Sequence, residues 1–139
     1  HKEYRRQRQM CIRDSPKDPR PYLGIGMIKG KQGDMKSAIL FFSKAASVDK
    51  QYAKAYLNRG VALGAIGKQR EALLEFTKAI EIDPRLSDAY RNRGIINESL
   101  GQMKKACEDW HTASTLGQDD PKRWFQKQCT GTEPKQKSN

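Results

Sequence analysis

Residues 53–86 read AKAYLNRGVALGAIGKQREALLEFTKAIEIDPRL, and the same pattern recurs without a gap in the 34 residues before and the 34 residues after them. The blocks 19–52, 53–86 and 87–120 align in six columns of identical or equivalent residues. These columns are Tyr at position 4, Gly at positions 8 and 15, Ala at positions 20 and 27, and Phe or Trp at position 24. Such self-similarity indicates a repeat architecture, in which stacked units bury one continuous core.

Each block divides at the glycine of position 15 into two apolar patterns of helical period. In the middle block, the second pattern follows the spacing i, i+1, i+4, i+7 and i+8 on Ala72, Leu73, Phe76, Ala79 and Ile80. Glycine reaches the left-handed backbone conformation that ends a helix without steric cost, so Gly67 marks the reversal between two helices. The sequence therefore predicts three helical hairpins.

These columns resemble those of the tetratricopeptide repeat (TPR) family, whose pattern has an aromatic residue, Leu-Gly, a second aromatic residue, Ala, Phe, Ala and Pro. The middle block is the best match and holds Tyr56, Gly60, Gly67, Ala72, Phe76, Ala79 and Pro84 in place. The resemblance covers residues 19–120 and departs from the family at position 11, which is Lys29, Leu63 or Asn97 instead of an aromatic residue. It implies an all-α, right-handed superhelical solenoid of three hairpins.

The segment after the third repeat is expected to close the stack. Asp120-Pro121 is a helix-start signal, and the helix is predicted from Lys122 to about Gln128, within a capping region 121–129. Its Trp124 and Phe125 are predicted to cover the open apolar face of the last hairpin. A disordered tail with two stray aromatic residues is the alternative. Residues 130–139, TGTEPKQKSN, are polar and predicted to be disordered.

The first 18 residues share nothing with the repeats and lack apolar periodicity. Their stretch RRQRQMCIRDS is similar to translated sequencing-adapter sequence. We therefore interpret the basic segment 1–18 as a sequencing artefact. We expect residues 1–16 to contribute neither to folding nor to binding. A natural basic arm is the alternative.

The net charge of +11 raises the question of nucleic-acid binding. Segments 1–18 and 121–139 carry +3 and +4, from 6 Lys/Arg against 3 Asp/Glu and from 5 against 1. The much longer repeat region 19–120 carries only +4, from 16 against 12. Most of the excess therefore lies outside the repeats, which weakens the nucleic-acid interpretation.

Apolar runs and cysteines bear on the compartment. No apolar run approaches the roughly 20 residues of a membrane span, and none resembles a signal peptide. Cys11, Cys107 and Cys129 are an odd number without disulfide-like spacing, which favours a reducing compartment. We therefore expect a cytoplasmic location, with Cys107 as a small core residue.

Catalysis finds little support in the sequence. The histidines are His1 and His111, and no Ser, Cys or carboxylate pattern surrounds His111. No Cys/His spacing suits zinc. The glycines of GIGMIKG, residues 24–30, lack the G-x-G-x-x-G spacing, and no strand precedes them. The sequence predicts neither an enzyme nor a bound cofactor or metal.

The family resemblance implies a binding surface. In the family, the first helices of successive repeats line a concave groove through positions 2, 5, 6, 9, 12 and 13. Carried onto this chain, these positions include the predicted peptide-binding residues Met27, Lys31, Lys54, Leu57, Asn58, Val61, Arg91, Asn92 and Ile95. Asn58 and Asn92 share a column, and a ladder of carboxamides can pair with the backbone of an extended peptide whatever its side chains. The alternative is that these carboxamides satisfy local polar groups only.

The predicted function is protein–protein interaction by a non-catalytic adaptor or scaffold. Some TPR domains clamp the acidic C-termini of heat-shock chaperones with Lys and Asn in one repeat and Lys and Arg two repeats later. The first-repeat clamp positions here are Leu23 and Met27, and the third repeat begins with Asp88, so chaperone tails are not expected partners. RNA or DNA binding is the alternative from another class, although the inferred groove has no aromatic residue for base stacking. A fragment of a larger TPR protein is a third interpretation.

Overall fold

The structure, a computed structural model, describes residues 18–129. These residues form seven α-helices and a π-helical turn, with no strand among them. In chain order the elements are α1 Arg20–Lys31, α2 Met35–Val48, α3 Ala53–Ala65, α4 Gln69–Ile82, α5 Ser87–Ser99, α6 Met103–Thr115, α7 Asp119–Trp124 and the π-helical turn Phe125–Cys129. The predicted dispensable arm and disordered tail lie outside the described residues. None of the described helices is long and apolar enough to cross a bilayer.

Consecutive helices pair into the three predicted hairpins, α1/α2, α3/α4 and α5/α6. Each second helix also packs against the first helix of the next hairpin, and the first helices α1, α3 and α5 contact one another in turn. Stacking in which each unit contacts its neighbours is the defining feature of a solenoid. The predicted all-α solenoid is confirmed.

The turn inside each hairpin falls on the glycine of position 15. Gly33, Gly67 and Gly101 have φ angles of 82°, 85° and 77°, in the left-handed region. In the middle repeat, the N–H of Lys68 then donates to the carbonyl oxygen of Leu63 at 2.9 Å. This bond from just beyond the helix satisfies a carbonyl that has no partner within it, so glycine ends the first helix cleanly.

Small residues let the two helices of a hairpin approach around one aromatic ring. Ala72 and Ala79 are completely buried, and Phe76 is 1% exposed. A Cβ added at Gly60 would lie 2.7 Å from Cε1 of Phe76, which is too close for two carbon atoms in a packed interior. The glycine of position 8 is therefore required by the ring at position 24. The outer hairpins repeat the contact with Gly26 against Phe42 and Gly94 against Trp110.

A polar ladder that the sequence analysis missed joins successive hairpins. Arg93 donates from Nε to Oδ2 of Asp109 at 2.9 Å and from Nη2 to Oδ1 at 2.7 Å. Its Nη1 donates to Oγ1 of Thr77, in the preceding repeat, at 3.3 Å. Hydrogen bonding to the buried Asp109 raises the pKa of Arg93. The same three-way arrangement one repeat earlier consists of Arg59, Glu75 and Ser43.

The C-terminal segment folds back on the third hairpin. Helix α7 begins at Asp119, before the predicted Lys122, and the chain continues as a π-helical turn to Cys129. The ring centroids of Trp124 and Trp110 are 5.4 Å apart, and those of Phe125 and His111 are 5.0 Å apart. Both aromatic residues of the segment therefore pack on the last hairpin.

Cys107 and Cys129 form a disulfide, with their Cα atoms 5.7 Å apart. The prediction that the cysteines lack disulfide spacing was therefore wrong. Helix α7 and the π-helical turn return the chain to α6 and bring together two residues that are 22 apart in sequence. Because disulfides persist mainly in oxidising environments, the argument for a reducing compartment loses its basis.

Candidate functional site

Four of the predicted binding residues converge where α1 and α3 meet. Met27 and Lys31 of α1, with Asn58 and Val61 of α3, line one cavity of about 270 Å³. Residues four apart lie on the same face of a helix, which is why Met27 and Lys31 reach the same space. The rest of this cavity is lined by small or apolar residues, namely Gly30, Met35, Ala38, Phe42, Ala62 and Ala65.

Both carboxamides of the predicted ladder bond to their own helices. Asn58 Nδ2 donates to the carbonyl oxygen of Lys54 at 2.8 Å, and Asn92 Nδ2 donates to that of Asp88 at 2.7 Å. A carboxamide carries two N–H donors and one acceptor oxygen. Within residues 18–129, each of these bonds uses one donor and leaves Oδ1 and the second N–H for a ligand. The two side chains are therefore held alike in successive repeats.

The apolar members of the predicted set differ in accessibility. Met27 and Val61 are each 44% exposed, and Ile95 is 37% exposed. Leu57, in contrast, is 8% exposed and packs in the core cluster with Phe76. Leu57 therefore belongs to the core and not to the accessible surface of the groove.

The predicted cations also differ in what they contact. Lys31 and Lys54 are exposed, and neither side chain has an ion pair within the described part of the chain. The guanidinium carbon of Arg91 lies 5.3 Å from the ring centroid of Trp124, a cation–π contact with the C-terminal segment. Lys31 and Lys54 are thus better placed than Arg91 to meet a ligand carboxylate.

Sequence models of the tetratricopeptide repeat match residues 19–52 and 53–86, and a further model of the same repeat matches residues 75–108. Together these matches span well over half of the chain. The chain belongs to the tetratricopeptide repeat family. The third TPR match is out of phase with the third hairpin, since it begins inside α4, includes α5 and ends inside α6.

Solved TPR structures share the fold. The Arabidopsis OM64 TPR domain is 25% identical with a TM-score of 0.78, over 84% of this chain and 98% of that one. The second TPR of Spaghetti (RPAP3), bound to the HSP90 peptide SRMEEVD, is 27% identical with a TM-score of 0.71, over 74% of this chain and 95% of that one.

MamA, at 24% identity and a TM-score of 0.69, is similar in fold over 78% of this chain. The match spans 64% of the MamA chain. No curated protein matches the sequence.

A second cavity of this TPR stack was missed from sequence. It measures about 310 Å³ and lies between α5 and the C-terminal segment, lined by Ile95, Glu98, Trp110, Trp124 and Gln128. Of these residues, Ile95 was among the predicted binding residues, and Glu98 occupies position 12 of the family's groove. The expectation that no aromatic residue borders the groove was therefore wrong, because α7 folds back and sets Trp124 beside Ile95 and Arg91. The sequence feature that could have indicated this cavity is Trp124, which was predicted only to cover the last hairpin.

Proposed function

We propose that this TPR stack is a non-catalytic adaptor or scaffold that binds an extended peptide segment of a partner protein. The proposal rests on the family, whose fold typically serves as a protein-interaction scaffold. The observation that carries it is the convergence of Met27, Lys31, Asn58 and Val61 on one cavity between the first helices of two repeats. Concave sites with apolar walls and a few polar groups are typical of ligand binding.

The carboxamide ladder supplies the part of the interaction that is independent of ligand sequence. Asn58 and Asn92 each keep an acceptor oxygen and an N–H donor, one repeat apart on α3 and α5. An extended peptide presents backbone N–H and C=O groups at regular intervals, and these can pair with carboxamides in either sense. The apolar surfaces of Met27, Val61 and Ile95 would then contact ligand side chains.

Acidic peptides fall within this proposal, including chaperone tails. The expectation that such tails do not bind came from Leu23, Met27 and Asp88 at positions of the family's clamp. The comparison with the second TPR of Spaghetti, bound to SRMEEVD, gives that exclusion no support. Lys31 and Lys54 offer two exposed ammonium groups to a ligand carboxylate.

The cysteine count suggested a reducing compartment, and the disulfide removes that argument. A cytoplasmic location stays a prediction, and the Cys107–Cys129 disulfide gives it no support. Binding assays are therefore best done with the disulfide intact.

The test is a random-peptide display selection against the full chain, counter-selected with the Asn58→Ala/Asn92→Ala variant. We expect a convergent motif that the variant does not retain. The peptide SRMEEVD is titrated in parallel, and binding that Lys31→Ala/Lys54→Ala weakens would place acidic tails among the ligands. A failure of any motif to converge, from protein that melts cooperatively, would contradict the proposal.

Nucleic acid is the competing outcome and has its own signature. Binding to single strands would weaken steeply as the salt concentration rises. The logarithm of the binding constant would fall by about 0.7 per tenfold increase in salt for each phosphate neutralised. Tight oligonucleotide binding with such a slope, and no peptide motif, would replace the proposed function with the alternative one.

A further inference from the structure

The junctions between successive first helices are not equivalent along the groove. Where α1 meets α3, Met27 and the ring of Phe42 are among the residues that line the first cavity. Where α5 meets the C-terminal segment, Ile95 and Trp110 occupy the same two repeat positions, 9 and 24, in the second cavity. The two cavities therefore lie at equivalent places in the repeat, two junctions apart.

The middle junction, between α3 and α5, is occupied by a side chain of the protein itself. Ile96 packs against the core cluster that contains Phe76, the aromatic residue of position 24 in that repeat. A Cβ added at Gly64 would lie 3.1 Å from Cδ1 of Ile96, so the isoleucine lies directly against the α3 backbone. At this junction Ile96 therefore covers part of the core cluster that contains Phe76.

The residue at position 10 distinguishes the first two junctions. Position 10 is Ala62 on α3 and Ile96 on α5, while position 12 of the preceding repeat is glycine in both cases, Gly30 and Gly64. The backbone that faces position 10 is therefore equally bare at each junction. The alanine at 62 leaves the first cavity open, whereas the isoleucine at 96 fills the corresponding space with its own side chain.

We infer that the groove recognises a peptide through two bulky apolar side chains, one in each cavity, separated by a stretch that crosses the filled middle junction. This inference rests on the proposed function and specifies its ligand. Packed helices lie about 8–10 Å apart, so two junctions span about 16–20 Å. An extended chain rises about 3.3 Å per residue and alternates its faces, so the two anchors fall about six residues apart.

The two cavities also differ in charge. Lys31 lines the first cavity, and Glu98 lines the second. Both side chains are exposed, and neither has an ion pair within residues 18–129. The ligand that complements them has an acidic residue beside the anchor of the first cavity and a basic residue beside the anchor of the second. Charge complementarity of this kind fixes the register of a bound chain.

The experiment measures fluorescence anisotropy of labelled peptides built from serine and alanine, each with two leucines whose separation varies from two to ten residues. We expect the affinity to peak near a separation of six, about tenfold or more above a matched peptide with one leucine. Within the best spacing, a peptide with Asp beside one leucine and Lys beside the other should bind more tightly than one with two Asp or two Lys, and Glu98→Gln should reduce that preference.

The variant that tests the first cavity is Ala62→Ile, which copies the residue that the protein already carries at position 96. It should lower the affinity of the two-leucine peptide to that of the one-leucine peptide. Leu74→Ile is the matched control, because Leu74 is 71% exposed on the second helix α4, outside both cavities. A thermal melt of each variant verifies that it folds.

Two outcomes separate this inference from the proposed function. Equal affinity at all leucine spacings, while display-selected peptides still bind and still depend on Asn58 and Asn92, overturns the two-anchor arrangement alone. The two-anchor arrangement is also overturned if a folded Ala62→Ile variant binds the peptide with leucines six residues apart as tightly as the parent does. Failure of the display selection itself contradicts the proposed function first.

Discussion

Arg93 and Asp109 form a two-point ion pair, with Nε 2.9 Å from Oδ2 and Nη2 2.7 Å from Oδ1. The side chains are 24% and 7% exposed, so most of the pair is removed from water. One repeat earlier, Arg59 donates to a single oxygen of Glu75 at 2.7 Å, and that pair is 22% and 19% exposed. The two arginines are therefore about equally exposed, and the carboxylate is more deeply buried in the third repeat.

Replacing the arginine should cost more in the third repeat than in the second. Arg93→Met leaves the Asp109 carboxylate buried with only Asn97 as a hydrogen-bond partner among the described residues, a loss of about 3 kcal/mol in unfolding free energy. Arg59→Met leaves the more accessible Glu75, which water can solvate, and should cost about 1 kcal/mol. Urea unfolding of both variants measures the difference. Equal losses would mean that the second oxygen contact contributes nothing.

Two glycines of α1 should respond in opposite directions to the same substitution. A Cβ at Gly26 would lie 2.5 Å from Cε1 of Phe42, so Gly26→Ala overpacks the hairpin at a cost of about 1–3 kcal/mol. Gly24 has nothing within 4 Å of an added Cβ, and Gly24→Ala should stabilise the helix by up to about 1 kcal/mol. Thermal melts of the two variants provide the comparison. A stable Gly26→Ala variant would refute the packing that this contact implies.

The disulfide should stabilise the whole stack through its C-terminal segment. Cys107 and Cys129 close a loop of 22 residues, and loops of this size typically contribute about 2–4 kcal/mol. Cys107→Ser/Cys129→Ser should lower the melting temperature accordingly, measured in a Cys11→Ser background that removes the third thiol. Adding dithiothreitol should lower the melting temperature of the parent and leave the double variant unchanged. A reductant effect on the double variant would assign the loss to another cause.

The start of α2 predicts a dependence on pH. Hydrogen bonding to the side chain and to the backbone N–H of Ser37 lowers the pKa of Asp34, which caps this helix. The pKa of Asp34 is lower in the folded state than in the unfolded state. The contribution of this cap to the free energy of unfolding is therefore complete above about pH 4 and is lost as the pH falls through the folded pKa. The stability difference between the parent and Asp34→Ala should therefore shrink between pH 7 and pH 3. A difference that stays constant over this range would argue against a carboxylate cap.

The repeat columns predicted the hairpins because each column records a contact made inside one repeat. Gly60, Ala72 and Phe76 belong to one repeat, and the 34-residue period repeats their contact in full. The family's groove positions, carried onto this register, include Met27, Lys31, Asn58 and Val61, which meet at one cavity. The repeat position did not predict how deeply each side chain is buried, since Leu57 occupies a groove position and yet packs in the core.

Contacts between polar side chains, and contacts made outside the repeats, were missed. Arg93 bonds to residues 16 positions away on either side, Thr77 and Asp109, and a helical period gives no indication of such partners. The signal that was present is a column pattern: arginine at position 7, an acidic residue at position 23 and a hydroxyl at position 25 of the preceding repeat. The Cys107–Cys129 pair depends on how α7 returns to α6, which lies outside the repeat period altogether.

We propose that Asn58 and Asn92 hold the backbone of an extended peptide in the groove. Calorimetric titration of a display-selected peptide into the parent chain and into Asn58→Ala/Asn92→Ala tests this role. Thr112→Ala is the matched control, because Thr112 also donates to the carbonyl four residues earlier, at 3.1 Å, but lies on α6 away from the groove. Two hydrogen bonds of about 1 kcal/mol each predict a loss of affinity of at least about tenfold in the double variant only. Unchanged affinity in a folded double variant would contradict the account.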